Sequence, residues 1–256
     1  MTHKREIMKT GRLSGKVAIV TGASKGIGAG IALAMGREGA AVAVNYSSSE
    51  PAARKVTSEI LAAGGKAIAI QGDVSNADDV ARLFAETKKA FGTPNVLVNN
   101  AGVFRPGPFV ETTEETFHWH YNVNVLGPVL TTLEAIKYFG DKGGSIINIS
   151  SIVASHARPM IAIYSSTKSA VENLTRGLAL ELGGRDIRVN AIAPGHTATE
   201  GTSAMFAGDV AATLAKESVF NRLGQPEDIA PLAVFLASDE ARWVTGEIIR
   251  AAGGTI

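Results

Sequence analysis

The sequence predicts an α/β fold in which a single doubly wound parallel sheet of about seven strands carries helices on both faces. Three observations point to it. Short apolar runs recur along the 256 residues, and each is followed by a stretch whose apolar positions have helical spacing. The runs are nearly continuous in Val, Ile and Ala, as strands covered on both faces are. No Pro/Ser tract, internal repeat or shift in composition divides the chain, so residues 12–256 read as one domain behind a basic tail at 1–11.

The elements follow in order. Residues 16–20 (KVAIV) read as the first strand, and 26–38 as a helix stopped by Gly39. Ala41–Tyr46 (AVAVNY) is the second strand, and 50–63 the second helix, with Pro51 tolerated in its first turn. Lys66–Gln71 is the third strand, and Asn76 caps a helix running to Phe91. Residues 95–100 (NVLVNN) form the fourth strand, and 114–139 is largely helical. The fifth strand is 144–151 (GSIINISS), followed by a long helix over 160–182. Residues 186–194 (DIRVNAIAP) are the sixth strand. A looser stretch, 196–223, holds short helix at most; a helix at 227–237 and a last strand at 246–252 close the chain.

Composition narrows the function. Lys and Arg number 25 against 24 Asp and Glu, a formal charge of +1, so no cationic excess exists to hold a nucleic-acid backbone. Hydrophobic residues at 45% and charged residues at 19% supply a full core and exclude global disorder. Cysteine is absent, which excludes a disulfide scaffold, a thiolate zinc site and a cysteine nucleophile, and fits a cytoplasmic location. No run approaches the eighteen or so apolar residues of a membrane span. The tail carries Lys4, Arg5 and Lys9 but no apolar stretch of a signal peptide. Glycine stands out: 28 residues, about 11% against a usual value near 7%.

The glycines explain themselves at the end of the first strand, where Thr21-Gly22-Ala23-Ser24-Lys25-Gly26-Ile27-Gly28 opens a helix. Free N–H groups and the dipole at such a turn suit a pyrophosphate, and glycine permits the close backbone approach. Many dinucleotide sites place an acidic residue at the end of the second strand, against the ribose 2′-hydroxyl. Here that place holds Asn45, followed by Tyr46, Ser47, Ser48 and Ser49. With no carboxylate to repel a 2′-phosphate and Lys25 in the loop, NADP(H) is expected over NAD(H).

A second constellation carries chemistry. Tyr164 and Lys168 lie four apart on a helix and share a face, and Ser151 ends the fifth strand. A lysine ammonium close to a phenol stabilises the phenolate by about 4 kcal/mol at an effective dielectric near 20, or two to three pKa units, with desolvation opposing it. The expected result is a tyrosine acidic enough to exchange a proton near neutrality while a dinucleotide moves hydride. Pleating turns Ser150 to the other face, which selects Ser151.

Together with the 99–102 segment (NNAG), Asn124 within 123–127 (VNVLG), and Pro194-Gly195, these motifs identify the chain as resembling the classical short-chain dehydrogenase/reductase family, a Rossmann-like fold, over residues 15–254. Within it the chain is similar to 3-oxoacyl-acyl-carrier-protein reductases and glucose dehydrogenases. The resemblance implies Tyr164 as general acid/base, Lys168 as the group that binds the nicotinamide ribose and lowers the tyrosine pKa, and Ser151 as the group that polarises the carbonyl. Asn124 would hold a water linking Lys168 to solvent. Gly22, Ser24, Lys25, Gly26, Ile27, Gly28, Asn45, Tyr46, Ser47, Ser48, Asp73, Val74, Asn100, Ala101 and Gly102 would bind the cofactor, with Asp73 at the adenine. Pro194, Gly195, Thr197 and Thr199 would meet the nicotinamide, and Asn99 would tie the central strands and line the cleft. Two places depart from the family's pattern: Thr197 stands where Ile or Val is usual, and Ala252-Gly253-Gly254 replaces an Asp/Asn-Gly-Gly. A homotetramer is implied, with the long helices after strands four and five at one interface and the last strand at another.

The expected activity is NADPH-dependent reduction of a carbonyl, on a 3-oxoacyl thioester or small ketone. Two alternatives stand beside it: an NAD(P)-dependent sugar or polyol dehydrogenase, and a catalytically silent NADP-sensing protein. No metal site is expected, because His118 and His120 point to different helix faces, and no Gly-x-Ser-x-Gly elbow supports Ser151 and His156 as a hydrolase. Glu227 and Asp228 read as first-turn carboxylates. His156, Arg158 and Met160 are placed either at the substrate mouth or in solvent.

Overall fold

Residues 11–203 and 208–255 are described by the computed structural model; the predicted basic tail, apart from Gly11, and part of the 196–223 stretch lie outside the described residues. Seven parallel strands form one sheet in the order β3-β2-β1-β4-β5-β6-β7. They are β1 (Val17–Val20), β2 (Ala41–Tyr46), β3 (Lys66–Gln71), β4 (Val96–Asn99), β5 (Gly144–Ile149), β6 (Ile187–Pro194) and β7 (Ile248–Ala251). β1 sits centrally, with Val20 registered on Val44 of β2 and on Val98 of β4. The order reverses between β1 and β4, and a crevice for ligands opens beyond the carboxyl ends at such a point.

Helices cover both faces: α1 (Gly26–Arg37), α2 (Glu50–Ala62), α3 (Ala77–Phe91), α4 (Glu114–Tyr121), α5 (Gly127–Phe139), α6 (Ala162–Leu182), α7 (Gly208–Lys216) and α8 (Pro226–Ala237). Side chains of consecutive strand residues point to opposite faces, and the core divides accordingly. Ala18 and Val20 join Ile31, Met35, Ile229 and Val234 on the α1/α8 side, while Ile19 joins Leu83, Phe84 and Phe139 on the other. Each fully buried side chain of this kind contributes roughly 1.5–3 kcal/mol. Gly30 lets α1 approach α8, since a Cβ there would lie 2.7 Å from the Pro226 ring.

Local chemistry sets the boundaries. The Asn76 side chain accepts from the N–H groups of Asp78 and Asp79, as a cap should, and α3 ends at Phe91 as expected. Asp228 closes a capping box with Gln225 at the start of α8. The expected helix over 114–139 is interrupted: a π-helical turn, Asn122–Leu126, separates α4 from α5. The long helix begins at Ala162, not at residue 160, because Met160 takes a left-handed conformation (φ 71°) that turns the chain into α6.

Candidate active site

A cleft of about 860 Å³ runs along the carboxyl edge of the sheet, over the switch point. At one end lies the glycine turn. Asn100 locks it by donating from Nδ2 to the carbonyls of Thr21 (2.9 Å) and Gly22 (3.0 Å). The Thr21 hydroxyl accepts from the N–H groups of Asn100 and Ala101, both at 3.0 Å. Only glycine fits at 28, where a Cβ would stand 2.3 Å from Asn100 Nδ2. Ser24, Lys25, Gly26 and Ile27 line this end, and Lys25 is exposed. Thr199 packs against Gly26, and the Gly26 N–H donates to the Glu200 carboxylate at 3.0 Å. The sequence reading missed Glu200; it follows Thr199 in the loop after β6, but no spacing rule aims it at the glycine turn.

Asn45 is buried, and its amide holds the fold together. Its Oδ1 accepts from Gly22 N–H (3.2 Å), and Nδ2 donates to the carbonyls of Ile70 (3.4 Å) and Gly72 (3.0 Å). It edges the cleft beside Tyr46, Ser47 and Ser48, but its amide has no donor left over for a ligand. Asp73 and Val74 line the adjoining wall. The Asp73 carboxylate accepts from the backbone (2.9 Å) and hydroxyl (2.7 Å) of Ser75. Asn99 ties the strands as expected, donating to Asn148 Oδ1 at 2.9 Å and accepting from Thr131 at 2.7 Å, but it is buried and its neighbour Asn100, not Asn99, faces the cleft.

Ser151, Tyr164 and Lys168 come together in mid-cleft. The Ser151 hydroxyl faces the Tyr164 phenol and acts to lower its pKa, while Ser150 points away and donates to Glu172 at 2.9 Å, as the pleat predicts. Lys168 is buried; its ammonium donates to the Ile149 carbonyl at 2.8 Å and stands 5.7 Å from the Tyr164 ring centroid. Here the expected phenol acidity is corrected. Burial pushes Tyr164 up to about 12, against the lowering effect of Ser151, and burial pushes Lys168 down to about 8. Both shifts share one cause, a dry site that disfavours the charged form of each group.

The π-helical turn carries Asn124, whose Oδ1 accepts from Val103 N–H (2.7 Å) and whose Nδ2 donates to Val103 O (2.9 Å) and Thr167 Oγ1 (3.1 Å). The amide thus fastens the loop after β4 to α6. Such turns recur at functional sites.

Phe104 packs on Tyr164 with ring centroids 4.6 Å apart, and Trp119, Ile161, Val210 and Leu214 complete an apolar far end. Phe104 directly follows the 99–103 segment at the end of a strand, so its place was open to sequence reading. His120 is buried and structural: Nε2 accepts from Arg105 N–H (3.2 Å), which leaves Nδ1 to donate to Thr116 O (2.8 Å). Of the three residues left undecided between mouth and solvent, Arg158 lines the cleft, Met160 is half exposed, and His156 bonds to the neighbouring Ser155 hydroxyl at 2.9 Å. Pro194, Gly195, Thr197 and Thr199 form the wall after β6.

The residues fit a dinucleotide: a locked glycine turn whose bare α-carbons leave a cradle, an uncharged second-strand end, and a cleft long enough to reach Tyr164. Among the described residues no helix is long and apolar enough to cross a membrane. Comparison with known proteins agrees. Residues 22–255 match a family model described as enoyl-(acyl carrier protein) reductase. The chain is 52% identical to an uncharacterized oxidoreductase of Methylorubrum extorquens, over 95% of this chain and 98% of that one. It is 40% identical to versicolorin reductase 1 of Aspergillus parasiticus, over 95% and 97%. The crystal structure of the angucycline C-6 ketoreductase LanV with bound NADP superposes with a TM-score of 0.90 at 39% identity, covering 96% of this chain and 97% of that one. With its glycine turn, parallel sheet and Ser151–Tyr164–Lys168 cluster, the chain belongs to the short-chain dehydrogenase/reductase family and is an NAD(P)-dependent oxidoreductase of the CH–OH/C=O pair.

Proposed function

We propose that the protein is an NADPH-dependent ketoreductase whose substrate is a ketone on an apolar, flat skeleton. One observation carries the reading: the Ser151 hydroxyl beside a phenol that burial keeps protonated, at the junction of a dinucleotide cradle and an aromatic-lined cavity. Bound along the cleft, the dinucleotide supplies the hydride. Ser151 holds the carbonyl oxygen, and Tyr164 gives its proton to that oxygen as the C=O pair becomes an alcohol. Lys168 holds the cofactor ribose and keeps a positive charge beneath the phenol. Asn124 positions α6 against the loop carrying Gly102.

The preference for NADPH is supported by the uncharged run from Tyr46 to Ser49, by Lys25, and by the NADP in the LanV structure. An apolar skeleton is supported by Phe104, Trp119, Ile161, Val210 and Leu214 around the phenol. A homotetramer is supported by the exposed Leu133 of α5, Leu180 of α6 and Trp243 before β7; sedimentation velocity tests it. The test of function is a panel of aryl and cyclic ketones, 3-oxoacyl thioesters and sugars, each with both cofactors. Ring ketones with NADPH should show the highest kcat/KM. Turnover of sugars alone, or tight NADPH binding with no turnover of any carbonyl, would overturn the reading.

A further inference from the structure

The stretch between β6 and α8 is tied at its base, where Ala198 N–H donates to Gly224 O (2.9 Å) and Gly224 N–H to His196 O (2.8 Å). Its helix α7 brings Val210 and Leu214 to the cleft. Yet no residue of α7 is buried, and a nine-residue helix has little stability of its own. Something other than core packing must hold it there.

The chain just after α7 is anchored twice: Ser218 Oγ (3.1 Å) and Val219 N–H (3.0 Å) donate to the Gly253 carbonyl, and Glu217 reaches toward the cleft. Its carboxylate accepts both Arg158 Nη groups, Nη1 at 2.9 Å, and also contacts His196 Nε2 at 3.0 Å. Arg158 comes from the segment between Ser151 and Tyr164, and His196 from the end of β6, so one carboxylate bridges two walls of the cleft. The fork-on-fork geometry is the strong form of this pair. Glu217 and Arg158 are both only part exposed, at 28% and 36%, and Glu217 is held below the usual carboxylate range by Arg158. We propose that Glu217 is a positioning residue, a latch that pins α7 over the substrate end of the cleft and sets the affinity for the ketone. The same pairing neutralises Arg158, which leaves the cleft mouth without a free cation from that side chain to attract an anionic substrate.

This inference rests on the ketoreductase reading, so its test has a readout free of turnover. Hydrogen exchange of the 208–217 amides and ketone kinetics are measured for wild type, Glu217→Ala, Glu217→Gln, Arg158→Ala and the double variant. Glu217→Ala should speed α7 exchange and raise the ketone KM by about fivefold each, with kcat and the NADPH Kd within about twofold. Glu217→Gln should recover part of the loss through His196, and the double variant should be no worse than Glu217→Ala. Unchanged α7 exchange in Glu217→Ala, or effects of the two single variants that simply add, would overturn the latch. Equal losses in KM, kcat and NADPH affinity would overturn it too, as the mark of a general structural role. Absence of ketone turnover in wild type would sink the ketoreductase reading, while the exchange cycle would still decide the latch.

Discussion

Glu200 places a negative charge where the proposed cofactor needs to put another. Its carboxylate accepts from the Gly26 N–H at 3.0 Å, at the amino end of α1, so it sits on the N–H groups expected to meet the pyrophosphate. A carboxylate at an exposed helix start stabilises by about 0.3–1 kcal/mol. Cofactor binding must give up that contact and bring like charges together, for a combined cost of about 1 kcal/mol. Glu200→Gln keeps the shape and an accepting oxygen but removes the charge. NADPH should then bind about fivefold more tightly, the factor that corresponds to ~1 kcal/mol. The gain should shrink at high salt, because the carboxylate is exposed. Without cofactor the same variant should be slightly less stable, since α1 loses an anion at its start. Calorimetric titration at low and high ionic strength, with thermal melts of the cofactor-free protein, measures both. Unchanged or weaker NADPH binding by Glu200→Gln would refute the competition.

Other outcomes follow from the same geometry. Tyr164→Phe should lower kcat by roughly 10²–10⁴-fold, the range for losing a general acid, with the NADPH Kd nearly unchanged in fluorescence titration. Ser47→Asp, at an exposed position of the cleft, should move cofactor preference toward NADH by at least about tenfold in kcat/KM ratios, a carboxylate then facing the 2′-phosphate. Asn45→Asp should instead destabilise, by about 1–3 kcal/mol in urea melts, because an acceptor would face the Ile70 and Gly72 carbonyls. Lys168 is pushed down to about 8. It carries its charge below that pH and loses it above, so kcat/KM for NADPH should fall as pH rises through about 8. Stability moves the other way: the unfolded chain binds the extra proton between about 8 and the ordinary lysine value, so stability from this group rises with pH across that window.

What was legible in the sequence was what repeats locally. Strand runs and helix caps read well because a strand needs four to six apolar residues in place and a cap needs one side chain, as at Asn76. Ser151 was distinguished from Ser150 by the pleat alone, and Ser150 does turn inward to Glu172. What escaped depends on contacts distant in sequence. Glu217 meets Arg158 across 59 positions, and Glu200 meets Gly26 across 174, with no periodicity to announce either. The π-helical turn left no mark, since Asn122–Leu126 continues the helical pattern on both sides. Asn45 was read as the strand-end residue at the cofactor ribose, but its amide is taken up by Gly22, Ile70 and Gly72, contacts that no local pattern announces.

The phenol shows why burial outranked the pair in setting acidity. At close range in a polarisable medium, the Lys168 charge would make the Tyr164 phenol acidic. In the fold Lys168 gives its ammonium to the Ile149 carbonyl, and both groups lose water. A tyrosine pushed up to about 12 remains a usable acid for reduction. An alkoxide is about as basic as hydroxide, far more basic than a phenolate. Proton transfer from Tyr164 to it is therefore still downhill. Oxidation needs the phenolate instead, which at pH 7 lies about 5 units uphill, roughly 7 kcal/mol. Desolvation alone thus keeps Tyr164 of the cofactor-free site in its proton-donating form. A bound cofactor has to supply the remaining charge balance before the reverse reaction becomes accessible.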